Sequence, residues 1–412
     1  MEGDSNFSCL TYENVLSKED SWTDNEIIWL MGKKYVLPND REQFCEAAKS
    51  KLWFTYRKGF DSIGGTGPTS DSGWGCMLRC GQMMLAQTLL RLKMSPQWKW
   101  RPNELQSSKY YEVLKDFADE RTSCYSIHQI AQMGVQEGKE VGQWFGPNTI
   151  AQVLKKLSAF DNKNDITVYV AMDNTICTKD VEKLCLNSSV ENSATSFSIS
   201  NEQEDQPSSS CLTNTAKLWK PLVLFIPLRL GLSEINPVYF ENIKECLTWK
   251  ESVGIIGGKP NHAYYFIGHT NTDYMVFLDP HTTQPAAVWD DKIVEIEHDN
   301  SYHCEYPSKM PMSHLDPSLA LGFLCKTKEE FEGICERVKT QKSSKESLPL
   351  FGVVESFPTC TVVESKVVSV SAHNLFKKRT GDMTEDENAC LTLDSDEDLD
   401  DVDEEFEILE IL

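Results

Sequence analysis

The chain has 412 residues, 40% of them hydrophobic and 10% aromatic, so it is long and apolar enough to bury a large core. Its net charge of −23 disfavours nucleic acid as a partner, because the phosphate backbone repels an acidic surface. The N-terminal sequence MEGDSN lacks the basic and apolar blocks of a secretory signal, and no apolar stretch is long enough to cross a bilayer. Fourteen cysteines are scattered without a dense framework, which favours free thiols in a reducing cytoplasm.

The folded part is predicted to begin after a polar, flexible segment over residues 1–25. A strand, a turn and a second strand are predicted over 27–37. A helical pattern over 41–54 follows the polar pair at 39–40.

A glycine-rich loop over 64–75 leads into unbranched, helix-favouring residues through about Arg91, which predicts a helix that begins at Cys76. Unpaired N–H groups at the start of a helix carry partial positive charge, which stabilises a nucleophilic thiolate. Gly75 is expected to leave room for a substrate backbone. Cys76 is therefore a candidate nucleophile, and the alternative is a buried cysteine that packs as a small hydrophobic residue.

The middle of the chain is predicted to be mainly helical and to contain a tryptophan on a loop. Glycines between 138 and 147 free Trp144 to project from that loop, although a core position at a domain seam would also explain it. A flexible insertion is predicted over 187–215, which is rich in Ser, Asn, Gln and Glu. Helices are predicted over 104–119, 126–133 and 148–156, and a strand over 166–171.

A second glycine-rich loop is predicted over 254–261, directly before a strand. A phosphate-cradling role is disfavoured, because this loop lacks the Ser or Thr and the spacing of a nucleotide site. Around it, strands are predicted over 218–228, 263–268 and 274–278, and helices over 236–247 and 328–338.

Asp279 and His281 follow the apolar run 274–278, at the point where that strand is predicted to end. Side chains two apart on an extended backbone share a face, so the carboxylate can orient the imidazole and support its positive charge. None of the other seven histidines has a carboxylate two residues before it. Asp279 and His281 are therefore candidate partners of Cys76, and the alternative is a hydrogen-bonded pair within a loop.

Three segments resemble the autophagins, cysteine proteases that process the ubiquitin-like modifiers of autophagy: GWGCMLRCGQM at 73–83, GQWFGPNT at 142–149 and DPHTT at 279–283. The similarity spans roughly residues 25 to 338. Cys80, where some members carry Thr, and the chain length make the sequence most similar to the A-type members.

The resemblance implies a papain-like catalytic apparatus. Cys76 would attack a carbonyl carbon, His281 would accept and return the proton, and Asp279 would orient His281. Tyr56 would donate to the developing oxyanion together with the backbone N–H of Cys76. Tyr56 could otherwise be an ordinary aromatic residue of the core.

The resemblance also implies a covered groove for the C-terminal glycine of the substrate. Trp144 would roof this groove and exclude larger side chains. A mobile loop that contains Gly257, Gly258, Lys259 and Pro260 would face Trp144 and move when substrate enters.

The C-terminal tail is the most acidic part of the chain. Residues 381–412 contain fifteen Asp or Glu and no Lys or Arg, so the rest of the chain has a net charge of about −8. Near the end of this run, Phe406 and Leu409 fit an extended strand that fills two apolar pockets beside a basic rim. They resemble the motif by which autophagy proteins bind the modifier, and the alternative is a solubilising tail.

Together these observations predict an α+β, papain-like cysteine protease fold with a small inserted subdomain and disordered termini. The protease domain is expected over 26–338, followed by a flexible tail over 339–412. By resemblance, the substrates are modifiers of the GABARAP type, free and conjugated to phosphatidylethanolamine, with peripheral membrane contact through the lipid. A transglutaminase-like acyltransferase and an inactive modifier-binding scaffold are the alternatives.

No cofactor or metal is predicted. Cys76 and Cys80 lie one helical turn apart, but no second pair of ligands has the spacing of a zinc site. Cys80 is instead a candidate redox partner that could protect the Cys76 thiolate.

Overall fold

The computed structural model describes residues 22–23, 25–186, 219–287, 296–340 and 348–357. The predicted insertion over 187–215 and the tail residues Phe406 and Leu409 lie outside this part of the chain. Strands form where β-branched and aromatic residues are frequent. They are β1 (Ile27–Leu30), β2 (Lys33–Val36), β3 (Tyr56–Lys58), β4 (Thr167–Val170), β5 (Thr175–Cys177), β6 (Leu222–Arg229), β7 (Ser252–Lys259), β8 (His262–Thr270), β9 (Tyr274–Leu278), β10 (Thr283–Pro285), β11 (Ser308–Pro311), β12 (Ser318–Cys325) and β13 (Gly352–Val354).

Two helices begin directly after a serine cap. The side chains of Ser107 and Ser126 accept hydrogen bonds from backbone N–H groups of the first turn that follows each of them. No helix among the described residues is long and apolar enough to cross a membrane. The helices are α1 (Arg41–Lys49), α2 (Cys76–Lys93), α3 (Ser108–Lys115), α4 (Ile127–Gly134), α5 (Pro147–Ser158), α6 (Thr178–Leu186), α7 (Phe240–Thr248), α8 (Ile296–Asn300) and α9 (Lys328–Thr340).

A mixed sheet organises the domain, with strand order β11-β9-β8-β7-β12-β6-β4. Its pairs are antiparallel except β4 with β6. The hairpin β1–β2 joins the same sheet because β1 pairs with the end of β8 at Gly268 to Thr270. A separate parallel pair, β3 with β10, places Tyr56 opposite Thr283. This pair brings β3 next to the loop that follows β9.

The sheet separates two apolar layers, because alternate residues of each strand point to opposite faces. On β8, Ala263, Tyr265 and Ile267 belong to the layer of α2 to α5, whereas Tyr264 and Phe266 belong to the layer of α6, α7 and α9. Burial of each large apolar side chain contributes roughly 1.5–3 kcal/mol. Since α2 packs against β7 and β8, its N-terminal residue is fixed relative to the sheet.

Two elements differ from the sequence prediction. The helix that begins at Arg41 ends at Lys49, not at residue 54, and the buried side chains of Leu52 and Phe54 lie on non-helical backbone. The predicted glycine-rich loop over 254–261 is mostly strand β7, which pairs with both β8 and β12. Only Pro260 and Asn261 form a turn, and the positive φ of Asn261 (65°) gives the pattern of a type II turn.

The ordered fold also extends beyond the domain end predicted at residue 338. Helix α9 continues to Thr340, and β13 pairs in parallel with β5. Leu350 and Phe351 are buried in the same layer as α9. Residues 348–357 therefore contribute to the core of the domain.

Candidate active site

Cys76 is the first residue of α2 and is buried, with only 2% of its surface exposed. The turn before it is closed by Asp71, whose carbonyl accepts hydrogen bonds from the N–H groups of Gly75 (2.8 Å) and Trp74 (3.3 Å). A Cβ at Gly75 would lie 2.6 Å from the Cβ of Asp71. The missing side chain of Gly75 thus allows this loop to pack, which differs from the predicted role of admitting the substrate.

A buried ionic network holds this loop against α2. Arg79 donates to Asp71 and to Asp119, each at 2.8 Å, and all three side chains are at most 2% exposed. Asp71 also accepts from the backbone N–H of Arg57 at 2.6 Å. Burial disfavours the charged guanidinium, but Asp119 and Asp71 outweigh it and raise the pKa of Arg79 above its ordinary value. The sequence analysis did not single out this network.

His281 lies just beyond the end of β9, and the side chain of Asp279 holds it there. Nδ1 of His281 is 2.5 Å from Oδ1 of Asp279, which also accepts from the backbone N–H of His281 at 2.9 Å. The carbonyl of Asp279 accepts a hydrogen bond from Trp53 Nε1 at 2.7 Å. Burial lowers the pKa of His281, but Asp279 and Cys76 outweigh burial and raise this pKa to about 9. The imidazolium is therefore retained below about pH 9.

Cys76 and His281 form a coupled pair. Burial raises the pKa of the Cys76 thiol, but His281, the backbone N–H of Ala263 and the hydroxyl of Tyr56 together lower it below its ordinary value. Among the described residues, Nε2 of His281 has no hydrogen-bond partner. The hydrogen bonds of catalytic groups are often long in a resting active site and shorten when substrate binds. These shifts favour the thiolate of Cys76 beside the imidazolium of His281.

Two aromatic residues complete the surroundings of the sulfur. The ring of Tyr56 meets the ring of His281 edge-on, with centroids 5.5 Å apart. Burial and the nearby Cys76 sulfur raise the pKa of the Tyr56 hydroxyl above its ordinary value. Trp144 donates from Nε1 to the sulfur of Cys76 at 3.2 Å and remains 43% exposed. The structure thus brings Cys76, His281, Asp279, Tyr56 and Trp144 together, as the sequence pattern and resemblance predict.

A cavity of about 270 Å³ lies between the Trp144 loop and the β7–β8 hairpin. Two glycines of its lining allow β7 to pack closely on its neighbours, since a Cβ at Gly258 would collide with the carbonyl of His262, and a Cβ at Gly257 would lie 3.0 Å from Leu319. Pro260 forms the adjacent turn and is not part of the lining. The lining residues are Met77, Trp144, Gly146, Pro147, Arg229, Gly257, Gly258, Lys259, Asn261, His262, Asp316 and Ser318.

Sequence reasoning missed the contribution of the first residues of β8. The ring of His262 lies 5.0 Å from the ring of His281, and the backbone N–H of Ala263 contributes to the lowered pKa of Cys76. Neither residue has a local sequence signal, because the contact depends on how β8 packs against α2. The pairing of Lys259 with His262 shows that this end of the hairpin borders the site.

Cys80 is fully buried on α2, and its pKa is raised well above the ordinary value by burial and by the negative charges of Cys76 and Asp279. It is therefore held as a thiol, which favours a packing role over the proposed redox role. Among the described residues, no cluster of three His, Cys, Asp or Glu side chains could hold a metal ion.

A thiolate at a helix N-terminus, paired with an imidazole that a carboxylate orients, is the arrangement of a papain-like cysteine peptidase. Comparison with known proteins agrees with this class. Residues 41–337 match the family model described as the peptidase C54 catalytic domain. The chain belongs to this family, so it is an autophagy-related cysteine protease, and the predicted α+β, papain-like fold class is confirmed.

Curated relatives match over most of their length. The chain is 46% identical to cysteine protease ATG4B of Gallus gallus over 355 residues, which cover 85% of this chain and 90% of the relative. It is 45% identical to cysteine protease ATG4A of Bos taurus over 84% of this chain and 88% of the relative. For cysteine protease ATG4A of Homo sapiens, the identity is 44%, with 84% and 89% covered. The chain is thus about equally similar to relatives of the A-type and of the B-type.

Proposed function

We propose that this protease cleaves ubiquitin-like autophagy modifiers of the GABARAP type after a C-terminal glycine. The contact between Trp144 and the sulfur of Cys76 carries the proposal. A substrate must reach the sulfur beneath this indole, in a cavity of about 270 Å³. A residue without a side chain fits such a covered position best, because any Cβ would approach the indole.

In the proposed reaction, the thiolate of Cys76 attacks the carbonyl carbon of that glycine. The oxyanion accepts hydrogen bonds from the Tyr56 hydroxyl and from the backbone N–H of Cys76 at the start of α2. His281, oriented by Asp279, then gives its proton to the departing amine, and a thioester remains on Cys76. Water attacks the thioester as His281 takes up a proton, and the glycine carboxylate and the thiolate are released.

The same acyl chemistry extends to modifiers conjugated to phosphatidylethanolamine, where the leaving amine is the lipid headgroup. This activity requires peripheral contact with a membrane through the lipidated substrate. The cytoplasm is the proposed location, because catalysis requires Cys76 as a free thiol, as it is in the structure.

Entry of the substrate requires that the two walls of the cavity separate. We assign this movement to the hairpin turn at Pro260 and the neighbouring Gly257, Gly258 and Lys259. The turn is only two residues long, and β7 and β8 are paired up to Lys259 and His262. The proposed motion is thus a displacement of the hairpin tip relative to Trp144.

The direct test is to incubate the full chain with a panel of modifier precursors and phosphatidylethanolamine conjugates. Mass spectrometry of the products should find cleavage after the glycine and release of unmodified lipid. Cleavage at another residue would contradict the proposed specificity. Incorporation of a labelled amine in place of water would instead favour the transglutaminase-like alternative.

Trp144→Ala is expected to relax the requirement for glycine. Wild-type enzyme should prefer a precursor with glycine to the same precursor with alanine by roughly 100-fold, since the roof collides with the extra methyl group. The Trp144→Ala enzyme should lower this ratio about tenfold. The ratio of kcat/KM values for the two precursors is the measurement. Trp144→Phe, which retains most of the roof but not the N–H, is the matched control and should keep the preference. An unchanged ratio in Trp144→Ala would exclude the roof.

Asp279→Asn is expected to move the basic limb of the pH profile of kcat/KM. In wild type this limb should fall near pH 9, because the raised pKa of His281, about 9, keeps the imidazolium protonated below that value. Without the carboxylate the proton is lost earlier, so the limb should move down by about one pH unit or more. Asp180→Asn, at an exposed position of α6, should leave the profile unchanged. A limb that stays in place would remove Asp279 from its proposed role.

A further inference from the structure

A cavity of about 710 Å³ lies apart from the catalytic cavity and shares no lining residue with it. It is near the C-terminal end of α2, and Arg91 in its wall is 15 residues, or about 22 Å along the helix axis, from Cys76. Six cationic side chains from several elements converge on it: Lys33, Lys51, Arg91, Lys99, Lys250 and Lys326. The acidic residues of its lining are Glu251 and Glu330.

These two carboxylates already have partners. Lys250 lies 3.9 Å from Glu251 and 3.5 Å from Glu330, and Arg337, outside the cavity, donates to Glu251 at 2.8 Å. In the described part of the chain, no carboxylate comes within ion-pair distance of Lys33, Lys51 or Lys99. The cavity therefore contains more positive charge than its own walls neutralise.

The ionisation of Lys51 shows how unfavourable this arrangement is without a counterion. Burial, followed by repulsion from Arg91 and Lys99, lowers the pKa of Lys51 to about 7. Burial also lowers the pKa of Lys99, and repulsion from Lys33 adds to this effect, whereas the carboxylate of Glu46 opposes it only in part. A chain with a net charge of −23 nevertheless places these cations together around one concave site.

We propose that this cavity binds a small organic polyanion that carries more than one phosphate group. Lysine ammonium groups bind phosphate oxygens as point charges, and several of them around one cavity match several phosphates. The volume lies within the range of small-molecule sites. Trp98, Met94 and Leu90 form an apolar part of the wall that can contact the carbon skeleton of the ligand. The ligand would be a soluble polyphosphate or the headgroup of a phosphoinositide.

Binding should be measured on the full chain with two probes, inositol hexakisphosphate by calorimetry and phosphatidylcholine vesicles with or without phosphatidylinositol bisphosphate by sedimentation. Inositol hexakisphosphate should bind at near-physiological salt. Lys51→Met and Lys99→Met should each weaken this binding about tenfold or more. Lys155→Met removes the same charge from an exposed position of α5 and should change affinity by less than about twofold.

The vesicle arm separates the two sources of the ligand. Binding to vesicles that depends on the phosphoinositide and on Lys51 would identify a lipid headgroup, whereas binding of the free polyphosphate alone would identify a soluble ligand. Absence of binding to both probes would overturn the proposal. A loss of affinity in Lys155→Met equal to the loss in Lys51→Met would overturn it as well.

Two further readouts distinguish a binding role from a structural one. Without ligand, Lys51→Met should melt at or above the wild-type temperature, because the substitution removes repulsion. At about pH 8, binding to wild type should take up protons as Lys51, with a pKa of about 7, becomes charged, and this contribution should be absent in Lys51→Met. Equal proton uptake in the two proteins would contradict the proposal.

The charged groups that surround Lys51 at this site, and so influence its titration, are Lys33, Glu46, Arg91, Lys99, Lys250, Glu251, Lys326 and Glu330.

Discussion

Replacing Cys76 by alanine is expected to reduce cleavage of modifier precursors by roughly 10⁴-fold or more, because removal of the nucleophile disables the catalytic group as a unit. The sulfur receives a hydrogen bond from Trp144, its pKa is lowered by His281 and Tyr56, and no other described thiol occupies this position. Single-turnover cleavage of precursor, followed by gel and mass spectrometry, measures the loss. The same loss is expected for phosphatidylethanolamine conjugates, since both reactions would use one thioester.

Cys80→Ala is the matched control, because it removes a thiol one turn further along the same helix. Its raised pKa keeps Cys80 protonated, so activity should remain close to that of wild type. Both variants should melt cooperatively, which separates a lost nucleophile from a lost fold. If Cys76→Ala retained cleavage, or if both variants lost it equally, Cys76 could not be the nucleophile.

The catalytic candidates could be predicted because each has a local signal in the sequence. The change from glycine-rich loop to unbranched residues marks the start of α2 at Cys76, and the strand that ends before Asp279 and His281 puts both on one face. Both interpretations need only the neighbouring residues. The aromatic residues Tyr56 and Trp144 came from family resemblance, since their contacts with Cys76 join distant parts of the chain.

The parts that sequence analysis missed depend on non-local pairing. Gly254 to Lys259 have the composition of a loop, but they form a strand because β8 and β12 supply partners on both sides. In the same way, β13 has no periodic pattern and is held by β5 and by the burial of Phe351. Side-chain patterns within a short window do not contain this information.

Arg79→Met is expected to destabilise the protein by about 3–5 kcal/mol, because it leaves the buried carboxylates of Asp71 and Asp119 without their counterion. This network was missed because a charged residue in a helix is ordinarily a solvent-facing one. Urea unfolding of the domain, followed by tryptophan fluorescence, measures the change in the free energy of unfolding. Arg121→Met is the matched control: its ion pair with Asp61 is exposed and 4.0 Å long, so its loss should cost less than about 1 kcal/mol.

Arg79→Met should also affect catalysis, because Asp71 joins the ionic network to the turn that precedes Cys76. A double variant, Asp71→Asn with Arg79→Met, removes one of the two orphaned charges and should recover part of the lost stability. The recovery measures the coupling between the two side chains, independently of the methylene packing that Met retains. If the double variant were as unstable as the sum of the two single variants, the ionic network would not be what fixes the nucleophile loop on α2.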